Sequence, residues 1–520
     1  MSEPAAAPQW RPAHSPWLVT LSVLLATFMQ VLDTSVANVS LPHIAGSLSA
    51  STDEATWVLT SYLVASAIVL AATGWLSSFF GRKRYLMFSV LLFTAASAAC
   101  GMAQSLPQLI IARVLQGIGG GGLQPLAQAI MVESFSKEER GAAMAAFGMG
   151  IVVAPIIGPI LGGWITDNYS WRWIFYINVP IGLLGLTLQQ MFVEDPPYLA
   201  RTRGQRIDYI GLGLMVLAIG VLQLVLDQGQ EADWFASKWI CLGAAVVLVS
   251  MPLFIIWEVR RRDPFINLRL LKNRNLAMGT LLIAVMGAIL YGSTAMLPIF
   301  MQRLLNYPAL QSGFAMMPRG IGSFISMVII GKLVMKVENR LLLFIGFFGV
   351  GVTCLQFAHL NTQIAQTNII WPQFLNGLSM GFLFVPMAVL ALSEIHQHDI
   401  NQATGVFSLL RNIGASIGIS LIFTFQARMA QTHQVALVSN ITNYTPAFRQ
   451  WAAHVQSYGV GSAITYGLTY LRVTQQASML AFLDAFRWLA VMSFICCPLV
   501  FLFHKIRSHK KEALAETMEV

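Results

Sequence analysis

The sequence has little charge and few cysteines for its length. Of its 520 residues, 11% are charged and 56% are hydrophobic. Soluble proteins carry about 25% charged residues, so this chain could not cover a water-facing surface of that size. Five cysteines exclude a disulfide-rich secreted domain, and long apolar runs without alternation exclude a transmembrane β-barrel. The composition therefore predicts an all-α polytopic membrane protein.

Motifs for nucleotide, metal and covalent chemistry are also missing. No GxxxxGK[ST] loop occurs, which disfavours an ATP-driven pump. Gly117, Gly119 and Gly122 match GxGxxG, but no strand precedes this apolar run, so we reject a dinucleotide site. No cluster has the spacing of metal ligands, and no nucleophile lies beside a base. We therefore expect no cofactor, no metal and no enzymatic activity.

Apolar runs long enough to cross a bilayer, which takes about 20 residues, occur fourteen times. Most connections between these runs are short. The predicted spans are Trp17–Val39, Thr56–Phe80, Tyr85–Ala103, Pro107–Met131, Ala142–Ile165, Trp171–Val193, Tyr209–Leu226, Trp239–Trp257, Leu276–Phe300, Gly313–Met335, Leu341–Phe357, Ile369–Leu392, Ala403–Phe425 and Met479–Phe503.

Lysine and arginine residues set the expected orientation. If both termini are cytoplasmic, 22 of the 32 cations fall in inside segments and six fall in outside segments. This asymmetry is the pattern of the positive-inside rule. We therefore expect both termini in the cytoplasm, and the net charge of +9 does not point to a nucleic-acid partner.

The connections divide the fourteen spans into groups of six, two and six. We predict an N-terminal six-helix bundle at residues 1–193, two inserted transmembrane helices at 194–275 and a C-terminal six-helix bundle at 276–520. A cytoplasmic linker occupies 194–208. A long outer loop at 430–478 is either a docking surface or a plain extracytoplasmic hairpin. Two similar halves are typical of transporters built from repeats, with the binding cavity between them.

Two oppositely charged residues are predicted inside the membrane at matching depth. Asp33 lies in the outer part of the first span, and Arg113 lies in the outer part of the fourth. A charge at the bilayer centre costs about 2.5–3.5 kcal/mol, and such groups usually mark a transport pathway. The pair is either a static tie or a proton-handling site, and we favour the second. Desolvation raises the pKa of a carboxyl group and a neighbouring guanidinium lowers it, so a change of surroundings would move a proton.

The second half contains two further intramembrane cations. Arg319 lies in the tenth span and Arg411 lies in the thirteenth. Each of them either contacts an acidic or carbonyl-bearing substrate or caps helix carbonyls. Asp484 and Arg487, three residues apart near the outer start of the last span, are expected to form an i, i+3 ion pair.

Four small residues in the fifth span recur every four positions and therefore share one helix face. Such a stripe lets another helix approach closely, and two prolines beside it bend the helix. We expect a rocking contact between the two halves here, with static packing as the alternative. The stripe consists of Gly150, Ala154, Gly158 and Gly162, and the prolines are Pro155 and Pro159.

Six short motifs within residues 17–182 share the patterns of one transporter family. They are Leu32–Val39 with Leu41 and Pro42, Gly74–Arg84, Arg113–Gly117, Gly150–Gly163, Trp171–Phe175 and Asn178–Pro180. Together they resemble the major facilitator superfamily, specifically its fourteen-span drug:proton antiporters and most closely the Emr-type multidrug efflux permeases.

The resemblance implies a proton-coupled exporter of hydrophobic drugs that works by alternating access. It implies the fold of that superfamily, with two six-helix bundles and two inserted helices. The implied site residues are Asp33, Arg113 and Gln116 for proton coupling or substrate; Gly150, Ala154, Pro155, Gly158, Pro159, Gly162 and Gly163 for conformational change; and Gly74, Gly81, Arg82 and Lys83 for a cytoplasmic gate. Candidate cavity residues are Asn38, Arg319 and Arg411, of which the two arginines are selected by their charge within predicted spans.

One position departs from the family pattern. Ser78 stands where the loop motif usually has an aspartate that helps to latch the cytoplasmic side. We therefore expect the inner latch to use another acid or to be weaker.

The resemblance also implies partners and a location. Emr-type permeases work in a bacterial inner membrane with a periplasmic adaptor and an outer-membrane channel, and residues 430–478 are the natural place for the adaptor. The expected ligands are hydrophobic small molecules, protons and membrane lipid. Two alternatives stay open: an exporter of one metabolite such as a fatty acid or siderophore, and a non-transporting membrane sensor or scaffold.

Overall fold

The structure is a computed structural model. It describes residues 12–136, 139–195, 208–261, 264–334, 336–361, 363–396, 399–442, 444–458 and 461–504. Most of the predicted linker at 194–208, and the predicted cationic ends of the chain, lie outside these residues.

The described residues form α-helices joined by short connections and contain no strand. A π-helical turn at Val216–Gly220 joins α9 to α10. The helices are α1 Pro16–Ser47, α2 Thr52–Phe80, α3 Arg82–Met102, α4 Leu106–Gly120, α5 Leu123–Ser134, α6 Arg140–Asn168, α7 Trp173–Tyr176, α8 Asn178–Phe192, α9 Tyr209–Met215, α10 Val221–Gln228, α11 Lys238–Arg260, α12 Arg274–Leu304, α13 Ala309–Leu333, α14 Asn339–Phe357, α15 Thr367–Leu392, α16 Ile400–Ser439, α17 Pro446–Gln456 and α18 Ser462–Leu499.

Thirteen helical stretches in the described part of the chain are long and apolar enough to cross a membrane. The predicted fourth span is not among them because the helix is interrupted between α4 and α5. Pro125 has no N–H to donate to the carbonyl of Gly121, so the regular bonding pattern fails there. The all-α membrane architecture is confirmed, whereas the count of fourteen and the cytoplasmic termini stay predictions.

The helices pack as two bundles with a smaller group at their edge. Helices α1–α8 form the first bundle, and α12–α16 with α18 form the second. The bundles meet where α6 packs on α13 and α15, and where α2 and α5 pack on α16. The inserted group α9–α11 lies beside this seam, and α10 contacts both α2 and α16. The domain boundaries at residues 193 and 275 stay predictions.

Apolar side chains on the outer faces of the helices suit a lipid environment. In α11, Leu242, Leu248 and Val249 are between 63% and 76% exposed. A water-facing surface would not carry so continuous an apolar face, whereas a bilayer requires helices whose backbone polar groups are bonded internally. The chain is therefore a multi-pass membrane protein.

The segment predicted as an outer loop at 430–478 is largely helical. Helix α16 continues to Ser439, α17 occupies Pro446–Gln456, and α18 begins at Ser462. Trp451 of α17 donates an indole hydrogen bond of 3.2 Å to Thr469 of α18. The segment is thus helical and not irregular, because Gln, Thr and Ser disfavour a membrane environment but do not prevent helix formation, and its place outside the membrane stays a prediction.

A run of glycines lets α4 pack closely between α2 and α3. A Cβ atom on Gly121 would lie 2.4 Å from the carbonyl oxygen of Ser66, and one on Gly117 would lie 2.6 Å from that of Tyr62. On the other side, a Cβ on Gly119 would lie 2.5 Å from the amide nitrogen of Phe93. These glycines therefore serve helix packing, in agreement with the rejection of a dinucleotide site.

We predict that Gly121→Ala destabilises the protein although alanine favours helix. The added methyl group meets α2 backbone, and overpacking of this kind costs about 1–3 kcal/mol. The matched control is Gly185→Ala in α8, where a Cβ has nothing within 4 Å. Thermal unfolding in detergent should give a lower midpoint for Gly121→Ala and an unchanged or higher midpoint for Gly185→Ala. Equal midpoints would contradict this account of the packing.

Candidate functional site

The predicted pair of Asp33 and Arg113 is present at the centre of the first bundle. The Nη1 atom of Arg113 lies 2.7 Å from Oδ2 of Asp33. Both side chains are at most 1% exposed, so this is a fully buried ion pair. Helix α1 supplies the carboxylate and α4 supplies the guanidinium, as the matched depths predicted.

Two amide side chains complete the coordination of the Asp33 carboxylate. Gln116, one turn after Arg113, donates to Oδ1 at 2.9 Å, and Asn178 at the start of α8 donates to the same oxygen at 2.7 Å. Gln116 also accepts a 2.7 Å bond from Arg113. Ser97 of α3 accepts from both amides, at 3.2 and 3.0 Å. Charge-assisted bonds of this kind stabilise the ionised carboxylate.

Arg113 has anchors that do not depend on Asp33. Its Nε donates to the carbonyl oxygen of Val58 at 2.9 Å. Its guanidinium carbon lies 4.3 Å from the centre of the Tyr62 ring, which is a cation–π contact. The guanidinium therefore keeps two partners on α2 if the carboxylate loses its charge.

A chain of polar side chains leads from this site to the second bundle. Tyr62, which lies under Arg113, accepts a 2.9 Å bond from Gln30, and Gln124 donates to Gln30 at 2.9 Å. Arg411 of α16 in turn donates to Oε1 of Gln124. The buried ion pair and a buried cation of the opposite bundle are thus linked by three consecutive hydrogen bonds and one ring contact.

The other predicted cavity residues differ in their surroundings. Arg319 is buried and donates to Ser293 at 3.1 Å, and Arg411 is buried at the seam between the bundles. Among the described residues, the hydrogen bonds of both arginines go to side chains and not to helix carbonyls. Asn38 is exposed on α1 and forms no hydrogen bond with the network around Asp33 in the region described.

Two of the predicted cytoplasmic gate residues form polar contacts with acids in the first bundle. Arg82 lies 2.7 Å from Oε1 of Glu133 on α5, and both side chains are 1% exposed. The backbone N–H of Lys83 donates to Asp195 at 2.8 Å. Ser78 instead donates to the carbonyl of Trp75 in its own helix. Arg82 and Lys83 therefore contact acids other than the one that the family motif provides, and a latch at this place stays a prediction.

Two glycines of the gate motif have distinct structural roles. Gly81 adopts a φ of +85° between α2 and α3, a conformation that glycine alone adopts without strain. At Gly74, a Cβ would lie 3.1 Å from the Cα of Gln402 on α16. Gly74 therefore marks a close contact between the two bundles, whereas Gly81 shapes the turn between α2 and α3.

The small-residue stripe of α6 does not face the other bundle, so this expectation was wrong. A Cβ on Gly158 would lie 2.3 Å from Oγ of Ser35, and one on Gly162 would lie 2.9 Å from Val36, both on α1. Gly150 has only Leu24 of α1 nearby, at 3.6 Å. The stripe packs within the first bundle because α1 is the nearest neighbour on that face.

The remaining motif residues are consistent with this packing. Pro155 lies inside α6, and its carbonyl accepts a 3.1 Å bond from Ser35. Pro159 also lies inside α6, and Ala154 is fully buried in the cluster with α1. Gly163 has nothing within 4 Å of its Cβ direction.

The seam between the bundles uses the opposite face of α6. A Cβ on Gly148 would lie 2.9 Å from Met327 of α13, and Phe384 of α15 would lie 3.0 Å away. A Cβ on Gly331 of α13 would lie 3.0 Å from Ala145. A contact that slides between the bundles would therefore involve Gly148 and Gly331 and not the predicted stripe.

The predicted pair of Asp484 and Arg487 is confirmed and has a third member. Arg487 donates to Oδ1 of Asp484 at 2.8 Å. Nε2 of His433 lies 2.7 Å from the other carboxylate oxygen. Asp484 therefore also connects the C-terminal part of α16 to α18.

Asn178 and Ser97 are the site residues that sequence reasoning did not select. Amide and hydroxyl side chains carry a smaller penalty in a membrane than charges do, so they do not stand out in an apolar run. Asn178 could have been selected from the sequence, because it is the first residue of one of the motifs used for the family resemblance. Its depth relative to Asp33 could also have been counted from the span ends.

Comparisons with known proteins give one consistent family. Residues 23–419 match the model of the Major Facilitator Superfamily. The chain is 37% identical to the multidrug export protein EmrB of Haemophilus influenzae over 94% of this chain and 95% of that protein. It is 34% identical to the fatty acid resistance protein FarB of Neisseria gonorrhoeae over 93% and 95% of the two chains. The crystal structure of the human organic anion transporter MFSD10 shares the fold, with a TM-score of 0.60 and 11% identity over 92% of this chain and 100% of that one.

We predict that Glu133→Gln strongly destabilises the protein because it leaves the buried guanidinium of Arg82 without a counter-charge. Removing one partner of a buried ion pair costs about 3–5 kcal/mol. The measurement is the midpoint of thermal unfolding in detergent. The matched control is Glu139→Gln, an exposed carboxylate that accepts a hydrogen bond from Ser136.

The double variant Arg82→Met with Glu133→Leu separates a buried charge from general damage. Replacing both members by apolar residues should recover much of the lost stability. A double variant as unstable as Glu133→Gln, or a Glu133→Gln midpoint equal to that of Glu139→Gln, would contradict the latch.

Proposed function

The chain belongs to the major facilitator superfamily, and from that membership we propose that it is a proton-coupled exporter of hydrophobic toxic compounds. The resemblance to the Emr-type multidrug efflux permeases is confirmed by relatives at 34–37% identity. The chain is accordingly a membrane transporter of small molecules of the multidrug export type, and not an enzyme. Proton coupling, antiport and the choice of hydrophobic substrates are our proposal.

The observation that supports proton coupling is the coordination of the Asp33 carboxylate. Its donors come from Arg113 and Gln116 on α4 and from Asn178 on α8. A movement of α1 relative to these helices would withdraw the donors together. Removing a cation and hydrogen-bond donors from a buried carboxylate favours its protonated form. Proton uptake at Asp33 is thus coupled to a rearrangement of helices within the first bundle.

The energy of a proton crossing the membrane potential and the energy of a shift in the pKa of a carboxyl group are of comparable size. A proton that crosses a potential of 100 mV contributes about 2.3 kcal/mol. A pKa change of one unit corresponds to about 1.4 kcal/mol. A change of about one or two units in the pKa of the carboxyl group would therefore match the energy that the proton gradient supplies.

We propose that the two bundles rock against each other around a cavity at their seam. The close contacts of Gly148 with α13 and of Gly74 with α16 would separate and re-form in alternation. The bond between Gln124 and Arg411 crosses the same seam. Movement of the bundles at the seam would therefore shift Gln30 and Tyr62, and Tyr62 contacts Arg113 of the ion pair.

The proposal includes the energy source, the location and the partners. The proton gradient would drive export without a cofactor, and the protein would lie in a bacterial inner membrane. A periplasmic adaptor, connected to an outer-membrane channel, would dock on the outer ends of α16 and α18 and on α17. In support of a shaped surface there, Arg472 stacks on Trp451 at 3.7 Å, and Phe448 stacks on Tyr466 at 6.0 Å between ring centres.

We predict that Asp33→Asn abolishes pH-driven export while the protein still folds and inserts. Asparagine keeps the shape of the side chain but cannot release a proton. The measurement is accumulation of a dye in inverted proteoliposomes after an imposed pH step. The matched control is Asp167→Asn, an exposed carboxylate at the end of α6 that is 68% exposed, which should transport normally.

The possible results separate the competing functions. Normal pH-driven transport by Asp33→Asn would contradict the proposed role of this carboxylate. Absence of any flux through the unmodified protein, across many compounds, would instead favour a membrane sensor or scaffold.

A second candidate function is the export of an acidic metabolite such as a fatty acid. The relative from Neisseria gonorrhoeae is named for fatty acid resistance. Within this chain, Nη1 of Arg411 is buried and has no partner among the described residues. A carboxylate that reaches the seam between the bundles would supply one.

We predict that Arg411→Gln distinguishes the two candidates. If carboxylate export is the main function, this variant should lower export of a long-chain fatty acid about tenfold or more, because a buried charge pair would be lost. Export of a cationic dye should change much less. Equal effects on both compounds would remove the support for the second candidate. The measurement is efflux from cells that lack their other pumps.

A further inference from the structure

A cavity of about 290 Å³ lies where the inserted helix meets both bundles. Its walls come from α2, from α10 and the residues that follow it, and from α12 and α16. This volume lies just below the range for small-molecule sites, which begins at about 300 Å³. The cavity lies at the seam but is separate from the ion pair of Asp33 and Arg113, since no residue of that pair lines it.

All charged residues that line this cavity are acids. Asp227 follows directly on the apolar part of α10, and Glu231 lies one turn later. Thr60 of α2 donates a hydrogen bond to Oδ2 of Asp227, and Gln228 donates to Thr60 at 3.2 Å. No lysine or arginine is among the lining residues. The cavity therefore favours a positively charged occupant.

One buried polar side chain of the cavity has unused hydrogen-bonding capacity. Ser420 is 4% exposed, and its Oγ has no partner in the described part of the chain. Gln223 is 5% exposed, and its Oε1 accepts a 3.0 Å bond from Ser416. Buried polar atoms normally have partners, so the hydroxyl group of Ser420 is available to a ligand that supplies one.

The rest of the lining is apolar and aromatic. Leu226 of α10 and Ile419 and Phe423 of α16 contribute hydrophobic surface. Tyr291 of α12 contributes an aromatic ring, and such rings attract organic cations through their π face. Apolar walls with two carboxylates and a few polar groups match an amphipathic cation better than a hydrated metal ion, which prefers clustered oxygen ligands.

We propose that this cavity is a binding site for amphipathic organic monocations, with Asp227 as the counter-charge. The inserted helix α10 would thereby take part directly in substrate binding. The proposal rests on the export function above, because it assigns a substrate class and a site to that function. In this proposal, the acidic residues of the site belong to the inserted group of helices and not to either bundle.

The test is direct binding of ethidium, an aromatic monocation, to the purified full-length protein in lipid nanodiscs. Fluorescence anisotropy reports the dissociation constant without any pH gradient. Asp227→Asn should weaken binding about tenfold or more, because it removes the counter-charge. The matched control is Asp233→Asn, an exposed carboxylate six residues later that does not line the cavity and should bind as the unmodified protein does.

Two further measurements keep the result interpretable if Asp227→Asn folds poorly. Ile419→Phe should fill part of the cavity and weaken ethidium binding while all charges stay in place. Phenanthridine, the uncharged parent ring, should bind the unmodified protein and Asp227→Asn with similar, low affinity. Unchanged ethidium affinity in both variants, or no ethidium binding by the unmodified protein, would overturn the proposal.

Failure of this site and failure of the export function give different results. Asp33→Asn should retain ethidium binding, since Asp33 lies outside the cavity. Binding that depends on Asp227 without any pH-driven flux would support the site and contradict the export function. If pH-driven flux depends on Asp33 but ethidium binding does not change in Asp227→Asn, the proposed binding site is contradicted and the export function is not.

Discussion

The buried pair of Asp33 and Arg113 is the interaction on which the rest of the arrangement depends. Both charged groups are buried away from water, so each needs the opposite charge beside it. A proton on the carboxylate would remove the charge of Asp33. The pair joins α1 to α4, and Asn178 adds α8 to the same carboxylate. In the proposed mechanism, a proton that neutralises the carboxylate would allow these helices to separate at this point.

The two bundles are not equivalent in charge. The first bundle holds buried acids paired with buried arginines, both at the centre and at the predicted cytoplasmic latch. In the second bundle, Arg319 and Arg411 have polar side chains as their recorded partners. The acids that face the seam, Asp227 and Glu231, come with the insertion. The proposed proton site in the first bundle and the proposed cation site beside the insertion would therefore be separate, because neither Asp33 nor Arg113 lines the cavity.

Sequence reasoning predicted the helical membrane fold and the pairing of Asp33 with Arg113, because span ends give the depth of a charge directly. It did not identify Glu133 as the partner of Arg82, since the approach of α5 to α3 is a tertiary contact. The face of α6 was assigned to the wrong neighbour for the same reason: a stripe of small residues shows that a helix comes close but not which one. The break after α4 depends on Pro125 and was overlooked in an apolar run. Asp227 went unnoticed because it lies one residue beyond the predicted end of its span.

The central claim is that Asp33 exchanges a proton when the protein changes between its transport states. The most direct measurement is the pH change of a weakly buffered solution of the purified protein when an exported compound is added. The account predicts proton release by the unmodified protein and by Asp167→Asn, and none by Asp33→Asn. Equal proton release by Asp33→Asn would contradict it.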